Sequence, residues 1–227
     1  MSCANLYASG ERWELYRGDS LALLPAVGPV DCVITDPPYS SGGAMRSDRV
    51  RAPTRKYLDA GADYLPQFAG DNRDGHGHLR WSALWMSDAL EIAVAGAVLC
   101  VFSDWRQLAT TTDALQAAGW VFRGIIPWIK PACRPQRGRF AQSAEFVVWG
   151  SAGPMPQSGP CLPGWYLGQA PHERSVREHV TQKPLELLDL LVTICPPGGR
   201  VLDPFAGVST TGIAALNSGR RYVGSSA

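Results

Sequence analysis

Two apolar runs constrain this chain more than any other feature. Val30-Asp31-Cys32-Val33-Ile34-Thr35 and Ala97-Val98-Leu99-Cys100-Val101-Phe102 lack the apolar–polar alternation of a sheet with one wet face. Strands of that kind need cover on both sides, which a parallel sheet between two layers of helices supplies. The first run stops at Asp36-Pro37-Pro38-Tyr39 and the second at Ser103-Asp104. Two successive prolines cannot continue a central strand, so the chain must turn directly after Asp36.

The remaining segments alternate in the same sense. Strands are predicted over 13–17, closed by Gly18-Asp19, then over 120–128, 145–149 and 201–203, with a last strand starting at Arg221. Helices are predicted over 20–24, 81–95, 110–118 and 210–217. Leu84, Trp85, Ala89, Ile92 and Ala93 fall at helical spacing, and the pattern ends at Gly96. Pro184 opens a further amphipathic helix carrying Leu185, Leu187, Leu188, Leu191 and Val192. The expected fold is α/β: one domain over 1–227 built on a doubly wound, mostly parallel twisted sheet of Rossmann-like type. The stretches 40–80, 131–144 and 150–180 are too long for ordinary connectors, and we read them as recognition loops.

Composition narrows the class. With 45% hydrophobic and 18% charged residues and a net charge of +1, the chain is neither disordered nor polyanion-seeking by total charge. No apolar run nears the roughly 18–20 residues of a membrane helix, and no leader pattern opens the chain, so a soluble cytoplasmic protein is expected. Lys56, Lys130 and Lys183 are the three lysines among 21 basic residues, leaving 18 Arg, the residue suited to bidentate phosphate and guanine contacts. The six cysteines (3, 32, 100, 133, 161 and 195) form no C-x-x-C pair, which points to buried free thiols. His76 and His78 read as loop histidines, and no metal is expected.

The first chemical locus is Thr35-Asp36-Pro37-Pro38-Tyr39, at the carboxyl end of a buried strand, where ligands of open α/β sheets bind. Proline removes backbone donors and leaves carbonyls free, an ionised Asp36 is acceptor-only, and Tyr39 adds a flat face. That set suits an amino group on a planar ring. The second locus is Asp203-Pro204-Phe205-Ala206-Gly207-Val208-Ser209-Thr210-Thr211-Gly212, a small-residue turn between a strand and a helix. Small residues there allow close approach to the backbone, and a helix N-terminus can hold a carboxylate.

With both loci in hand, the chain resembles the S-adenosylmethionine-dependent amino-DNA methyltransferases. It is similar to the permuted, beta-group adenine type in which Asp-Pro-Pro-Tyr precedes Asp-Pro-Phe-x-Gly. Gly70-Asp71-Asn72-Arg73-Asp74, Ser103-Asp104-Trp105-Arg106-Gln107 and Glu145-Phe146-Val147-Val148-Trp149-Gly150 resemble segments of prophage-type members. The resemblance implies a catalytic set of Asp36, Pro37, Pro38 and Tyr39. It implies S-adenosylmethionine as cofactor, held by Asp19, Thr181, Lys183, Asp203, Phe205, Gly207, Ser209, Thr210 and Thr211. Within that set, Gly18-Asp19-Ser20-Leu21 would meet the adenine, and Thr181-Gln182-Lys183-Pro184 the methionine end. Two departures stand out. Ser209 replaces the family's second glycine, and Gly224-Ser225-Ser226-Ala227 lacks the acid that normally binds the ribose, for which Glu11 or Asp19 is a local substitute.

The implied activity is DNA adenine N6-methylation of a base flipped out of the duplex. Asp36 and the Pro37 carbonyl would accept from the amine and free its lone pair for direct attack on the sulfonium methyl. Cytosine N4-methylation is the nearest alternative, although those enzymes more often carry Ser at the position of Asp36. RNA or protein-glutamine methylation goes with Asn there. A DNA-binding relative that has lost catalysis is the reading from another class, motivated by Ser209 and the missing acid. Two basic loops favour double-stranded DNA as partner: Arg46, Arg49, Arg51, Arg55 and Lys56 against Asp48, and Lys130, Arg134, Arg137 and Arg139 with no acid. Trp165 and Tyr166 are further candidates for DNA contact. A homodimer on a palindromic site is expected, because three modest loops must read several base pairs and the last strand is expected to lack a covering element.

Overall fold

The computed structural model describes residues 5–39, 73–132, 135, 137–169 and 183–226. Arg46, Arg49, Arg51, Arg55, Lys56, Arg134 and Thr181 lie outside the described residues. In chain order the strands are β1 (Asn5–Gly10), β2 (Trp13–Arg17), β3 (Val30–Thr35), β4 (Ala93–Ser103), β5 (Val121–Ile129), β6 (Ala144–Ser151), β7 (Tyr166–Leu167), β8 (Arg200–Asp203) and β9 (Arg221–Ser226). The helices are α1 (Ser20–Leu23), α2 (Gly75–Glu91), α3 (Leu108–Ala117), α4 (Leu185–Val192) and α5 (Thr210–Asn217), with a 3₁₀ turn at Leu24–Ala26.

All nine strands share one sheet in the order β1-β2-β9-β8-β3-β4-β6-β5-β7. The centre, β2-β9-β8-β3-β4, is parallel throughout. Antiparallel pairing brings in β6, between β4 and β5, and β1 at the edge. Strands β3 and β8 are neighbours although 168 residues separate Thr35 from Asp203. The chain leaves β3 towards β4 and leaves β8 towards β9. The crevice outside their carboxyl ends is therefore a topological switch point, the usual ligand position in such sheets.

Both faces are covered, which explains the unbroken apolar runs. Val33, Leu99 and Val101 pack with Leu23, Trp85, Met86 and Leu115 on the face of α1, α2 and α3. Cys32, Ile34, Cys100 and Phe102 pack with Leu187, Leu188, Ala214 and Tyr222 on the face of α4 and α5. Successive residues of one strand thus enter opposite cores, each apolar side chain contributing about 1.5–3 kcal/mol when fully buried.

The α/β class and most elements agree with expectation, and four details differ. Strand β1 was not anticipated; it adds an antiparallel edge through the turn at Glu11 and Arg12. Helix α2 begins at Gly75 rather than 81, because the Asp74 carboxylate accepts from the Gly77 amide at 2.7 Å and caps a first turn whose glycines hide it from the pattern. His76 and His78 therefore lie on a helix, not in a loop. Helix α2 also stops at Glu91, and β4 starts at Ala93, so Gly96 lies inside the strand with φ of 79°. Finally, β9 is no exposed edge: β2 and β8 flank it, and Tyr222 to Ser225 are buried. No helix among the described residues is long and apolar enough to cross a membrane.

Candidate active site

Strand β3 delivers Asp36 to the switch point, and β8 delivers Asp203 beside it. The Thr35 hydroxyl joins them, donating to Asp203 Oδ1 at 2.6 Å, and the Phe205 amide donates to the same oxygen at 3.1 Å. Burial raises the Asp203 pKa to about 6; the Thr35 and Thr211 hydroxyls and the Phe205 amide oppose the rise, and Asp36 adds to it. Beyond Asp203 the chain turns tightly. Gly207 has φ of 51° with open space where a Cβ would stand, and Ser209 has φ of 58°. Ser209 is the one non-glycine residue with positive φ among the described residues. Helix α5 starts there with Thr210 and Thr211 buried. Phe205 is wedged against Trp81 and Trp85 of α2, with ring centroids 5.3 Å away in both cases.

Asp19 follows β2, two strands further out than β8. It caps α1 by accepting from the Leu21 amide at 3.1 Å, and the preceding Gly18 amide donates to the Ser226 carbonyl at 3.0 Å. Asp19 therefore stands where β2 and β9 end together, next to the position of the missing ribose acid. Glu11 does not: it lies in the turn that opens β2, at the opposite edge of the sheet.

Around Asp36 the geometry is charged and enclosed. The Lys183 ammonium is 2.7 Å from Asp36 Oδ2 and 3.4 Å from Glu145 Oε2, and Lys183 is only 7% exposed. Glu145 heads β6; its Oε1 pairs with the Lys130 ammonium, and its Oε2 accepts from the Tyr39 hydroxyl at 3.3 Å. Asp36 Oδ1 is buried with no hydrogen-bond partner among the described residues. Burial pushes the Asp36 pKa up against the pull of Lys183. For Glu145 burial acts upwards too, but Lys183 and Lys130 outweigh it and hold the carboxyl below its usual range. Burial works against the Lys183 charge, yet Asp36 and Glu145 raise its pKa overall. Tyr39 is raised well above its ordinary value by burial and by both carboxylates. The cluster thus joins two carboxylates, Asp36 and Glu145, to two amines, Lys183 and Lys130.

The structure brings Asp36, Pro37, Tyr39, Lys183, Asp203, Phe205 and Ser209 to one edge, with Asp19 at its far end. Lys183 lies on Asp36 and Glu145, at the Asp-Pro-Pro-Tyr end of the crevice. Residues 130–143 leave β5 at this same edge, since Trp128 pairs with Glu145, and Arg137 and Arg139 are exposed there. Trp165 is exposed beside them, and Tyr166 pairs with Trp128. Sequence reasoning missed Glu145 as a site residue and counted Lys130 only among loop charges. The available signal was a lone carboxylate heading an otherwise apolar strand. It also passed over Asp104, which is buried at the end of β4 and takes the Arg106 guanidinium at 2.8 Å through two nitrogens. The described residues contain no group of three or more potential metal ligands.

Known proteins resemble the chain over most of its length. A family profile described as DNA methylase, of the N6/N4 type, matches residues 30–167 and 151–226. The type II methyltransferase M2.DpnII of Streptococcus pneumoniae is 24% identical over 240 residues, spanning 96% of this chain and 86% of its own. Among solved structures, the M1.HpyAVI–SAM complex superposes with a TM-score of 0.68 at 22% identity, covering 95% of this chain and 93% of that one. The cytosine-N4-specific PvuII DNA methyltransferase gives 0.73 at 15% identity, with 98% and 86% covered.

Proposed function

This chain belongs to the N6/N4 DNA methylase family, and from that premise we propose that it is an S-adenosylmethionine-dependent, site-specific DNA adenine N6-methyltransferase of the permuted group. The observation that carries the reading is Asp36 Oδ1, a buried carboxylate oxygen at the switch point with no hydrogen-bond partner among the described residues, in the segment that also carries Pro37 and Tyr39. An exocyclic amine is a donor that fits this vacancy. The order Asp36-Pro37-Pro38-Tyr39 before Asp203-Pro204-Phe205 supports the permuted group.

The residues fit the cofactor. The turn 203–209 presents open backbone at Gly207, Asp19 is an acceptor just beyond the end of β2 with one oxygen on the Leu21 amide, and Phe205 is held by two tryptophans. Asp19, Lys183, Asp203, Phe205, Gly207, Ser209, Thr210 and Thr211 would hold it, with Thr181 outside the described residues. When bound, it supplies an electrophilic methyl group on a sulfonium. Asp36 Oδ1 and the Pro37 carbonyl would accept the two N–H bonds of the flipped base and draw its nitrogen towards a tetrahedral shape, which frees its lone pair. The Tyr39 ring supplies stacking worth about 1–3 kcal/mol against an unstacking cost of a few kcal/mol. Asp36 rather than Ser at this position favours adenine over cytosine.

Double-stranded DNA is the substrate, with Arg137 and Arg139 as phosphate contacts at the site's edge and the Arg46–Lys56 cluster, outside the described residues, as a second basic element. A homodimer on a near-palindromic site remains part of the proposal. Its support is now an exposed apolar row, Phe122, Ile125 and Ile129 on one face of β5 with Leu167 paired to Ile129 on β7, rather than β9. Light scattering at micromolar concentration should report twice 24.5 kDa; a monomer both free and on DNA refutes this part. The deciding experiment for function is base-resolved sequencing of DNA from cells expressing the chain or its Asp36→Ala variant. N6-methyladenine at a defined site with the parent and none with the variant is expected; N4-methylcytosine would transfer the mechanism to the other base, and modification by the variant would sink it.

A further inference from the structure

Glu145 occupies a position that neither the catalytic segment nor the cofactor turn accounts for. It comes from β6, the strand antiparallel to β4, and reaches the Asp-Pro-Pro-Tyr segment from across the sheet. One of its oxygens, Oε2, serves both members of that segment: the Tyr39 hydroxyl directly at 3.3 Å, and Asp36 through the Lys183 ammonium at 3.4 Å. Its other oxygen is tied to Lys130, whose ammonium also stands 4.4 Å from the centre of the Trp128 ring. Lys183 itself lies 5.1 and 5.2 Å from the ring centroids of Tyr39 and Phe102 and is buried.

We propose that Glu145 is a positioning residue for methyl transfer: by sharing the Lys183 ammonium it keeps Asp36 Oδ2 anchored and Oδ1 open for the target amine, and by holding the Tyr39 hydroxyl it sets the platform on which the base stacks. The inference rests on Asp36 acting as the amine acceptor. Its physical basis is the behaviour of a buried ammonium. With three donors and one anion left, Lys183 would centre on Asp36 and engage both carboxylate oxygens, since an ion pair in low dielectric gains strongly from closer contact. The target amine would then compete with a cation for both oxygens. A second anion on the far side draws the ammonium back, which fits the unequal distances of 2.7 and 3.4 Å and the unpartnered Oδ1.

The titratable and charged groups facing Asp36 are Lys183 ahead of α4, the Tyr39 hydroxyl, which interacts with the Asp36 carboxylate as well as with Glu145, Glu145 on β6 and, one step further, Lys130 on β5; Asp203 is linked through Thr35, and Asp104 faces Tyr39. Replacing Glu145 by Gln removes a like charge from Asp36 and gives Lys183 to it entirely. Both effects lower the pH at which Asp36 protonates, so the acid limb of the rate profile moves down while the maximum rate falls. A merely structural role lowers the rate or the stability and leaves the limb in place. The Lys130→Gln variant acts in the opposite sense, because Glu145 then draws Lys183 away from Asp36 and the limb moves up.

Single-turnover transfer from tritiated S-adenosylmethionine to unmethylated bacteriophage DNA, measured from pH 5.5 to 9.5, tests this, with cofactor affinity taken from calorimetry. For Glu145→Gln we expect a maximum rate at least tenfold lower, a cofactor Kd within twofold and a lowered acid limb. A rate within threefold of the parent overturns the proposal. So does a cofactor Kd that rises in step with the loss, which would make Glu145 a support for a cofactor ligand. If Glu145→Gln does not fold by circular dichroism, Lys130→Gln decides: about a threefold loss with the limb raised supports the proposal, and an unchanged rate and limb overturn it. Asp36→Ala runs alongside. Transfer by that variant would defeat the reading of Asp36, whereas an inactive Asp36→Ala beside an unimpaired Glu145→Gln defeats this inference alone.

Discussion

Replacing Ser209 by Gly should make the protein more stable. Ser209 has φ of 58° and ψ of 34°, the left-handed conformation, and its hydroxyl makes no capping bond to α5. An L-residue pays about 1–2 kcal/mol for that conformation because Cβ crowds the following carbonyl. Glycine avoids the clash but gives up roughly 0.5–1 kcal/mol more backbone entropy on folding. Taken at mid-range, the balance is about 0.75 kcal/mol in favour of Gly, and the backbone bonds from Ser209 to the Ala206 carbonyl (2.7 Å) and from Ile213 to the Ser209 carbonyl (3.1 Å) survive the change. At about 2–4 °C per kcal/mol for a domain of this size, the melting temperature should rise by about 1–4 °C. Scanning calorimetry of the parent, Ser209→Gly and Ser209→Ala separates the causes, since Ala keeps Cβ and loses only the hydroxyl. Ser209→Ala should melt at or slightly below the parent. A glycine variant that melts no higher than the parent refutes the strain argument. Cofactor titration of the same proteins then asks whether the serine itself limits binding.

Asp203 predicts a pH dependence. Its pKa is raised to about 6 in the folded protein, so its protonated form contributes stability that is present below about pH 4 and lost as pH rises through 6. In urea denaturation, Asp203→Asn should gain on the parent by about 1–3 kcal/mol between pH 4.5 and 7.5, and an equal difference at both pH values contradicts the assigned shift. Neutralising Arg137 and Arg139 together should weaken DNA binding and flatten the log–log salt dependence by about two units, roughly 0.9 for each lost phosphate contact. An unchanged slope would leave both as solvated loop.

The sequence by itself determined the class of fold and the two ends of the site. Unbroken apolar runs such as 97–102 demand cover on both faces, and that demand is local: each residue's neighbours along the strand state it. The prolines after Asp36 and the small-residue turn after Asp203 are likewise local, since they stop strands and open backbone wherever the chain places them. The start of α2 was hidden because Gly75 and Gly77 weaken the helical pattern, while the Asp74 cap that offsets them acts through geometry. Tertiary structure alone decided the partners. Glu145 stands 109 residues from Asp36, and only the β4–β6 pairing brings it to Lys183 and Tyr39. The same is true of the Thr35–Asp203 bond across 168 residues and of β9, which looked like an uncovered end and sits inside the sheet. A side chain's chemistry is written in its type, but whether a carboxylate meets a cation, an open crevice or water depends on distances set by strand order, which no window of sequence contains.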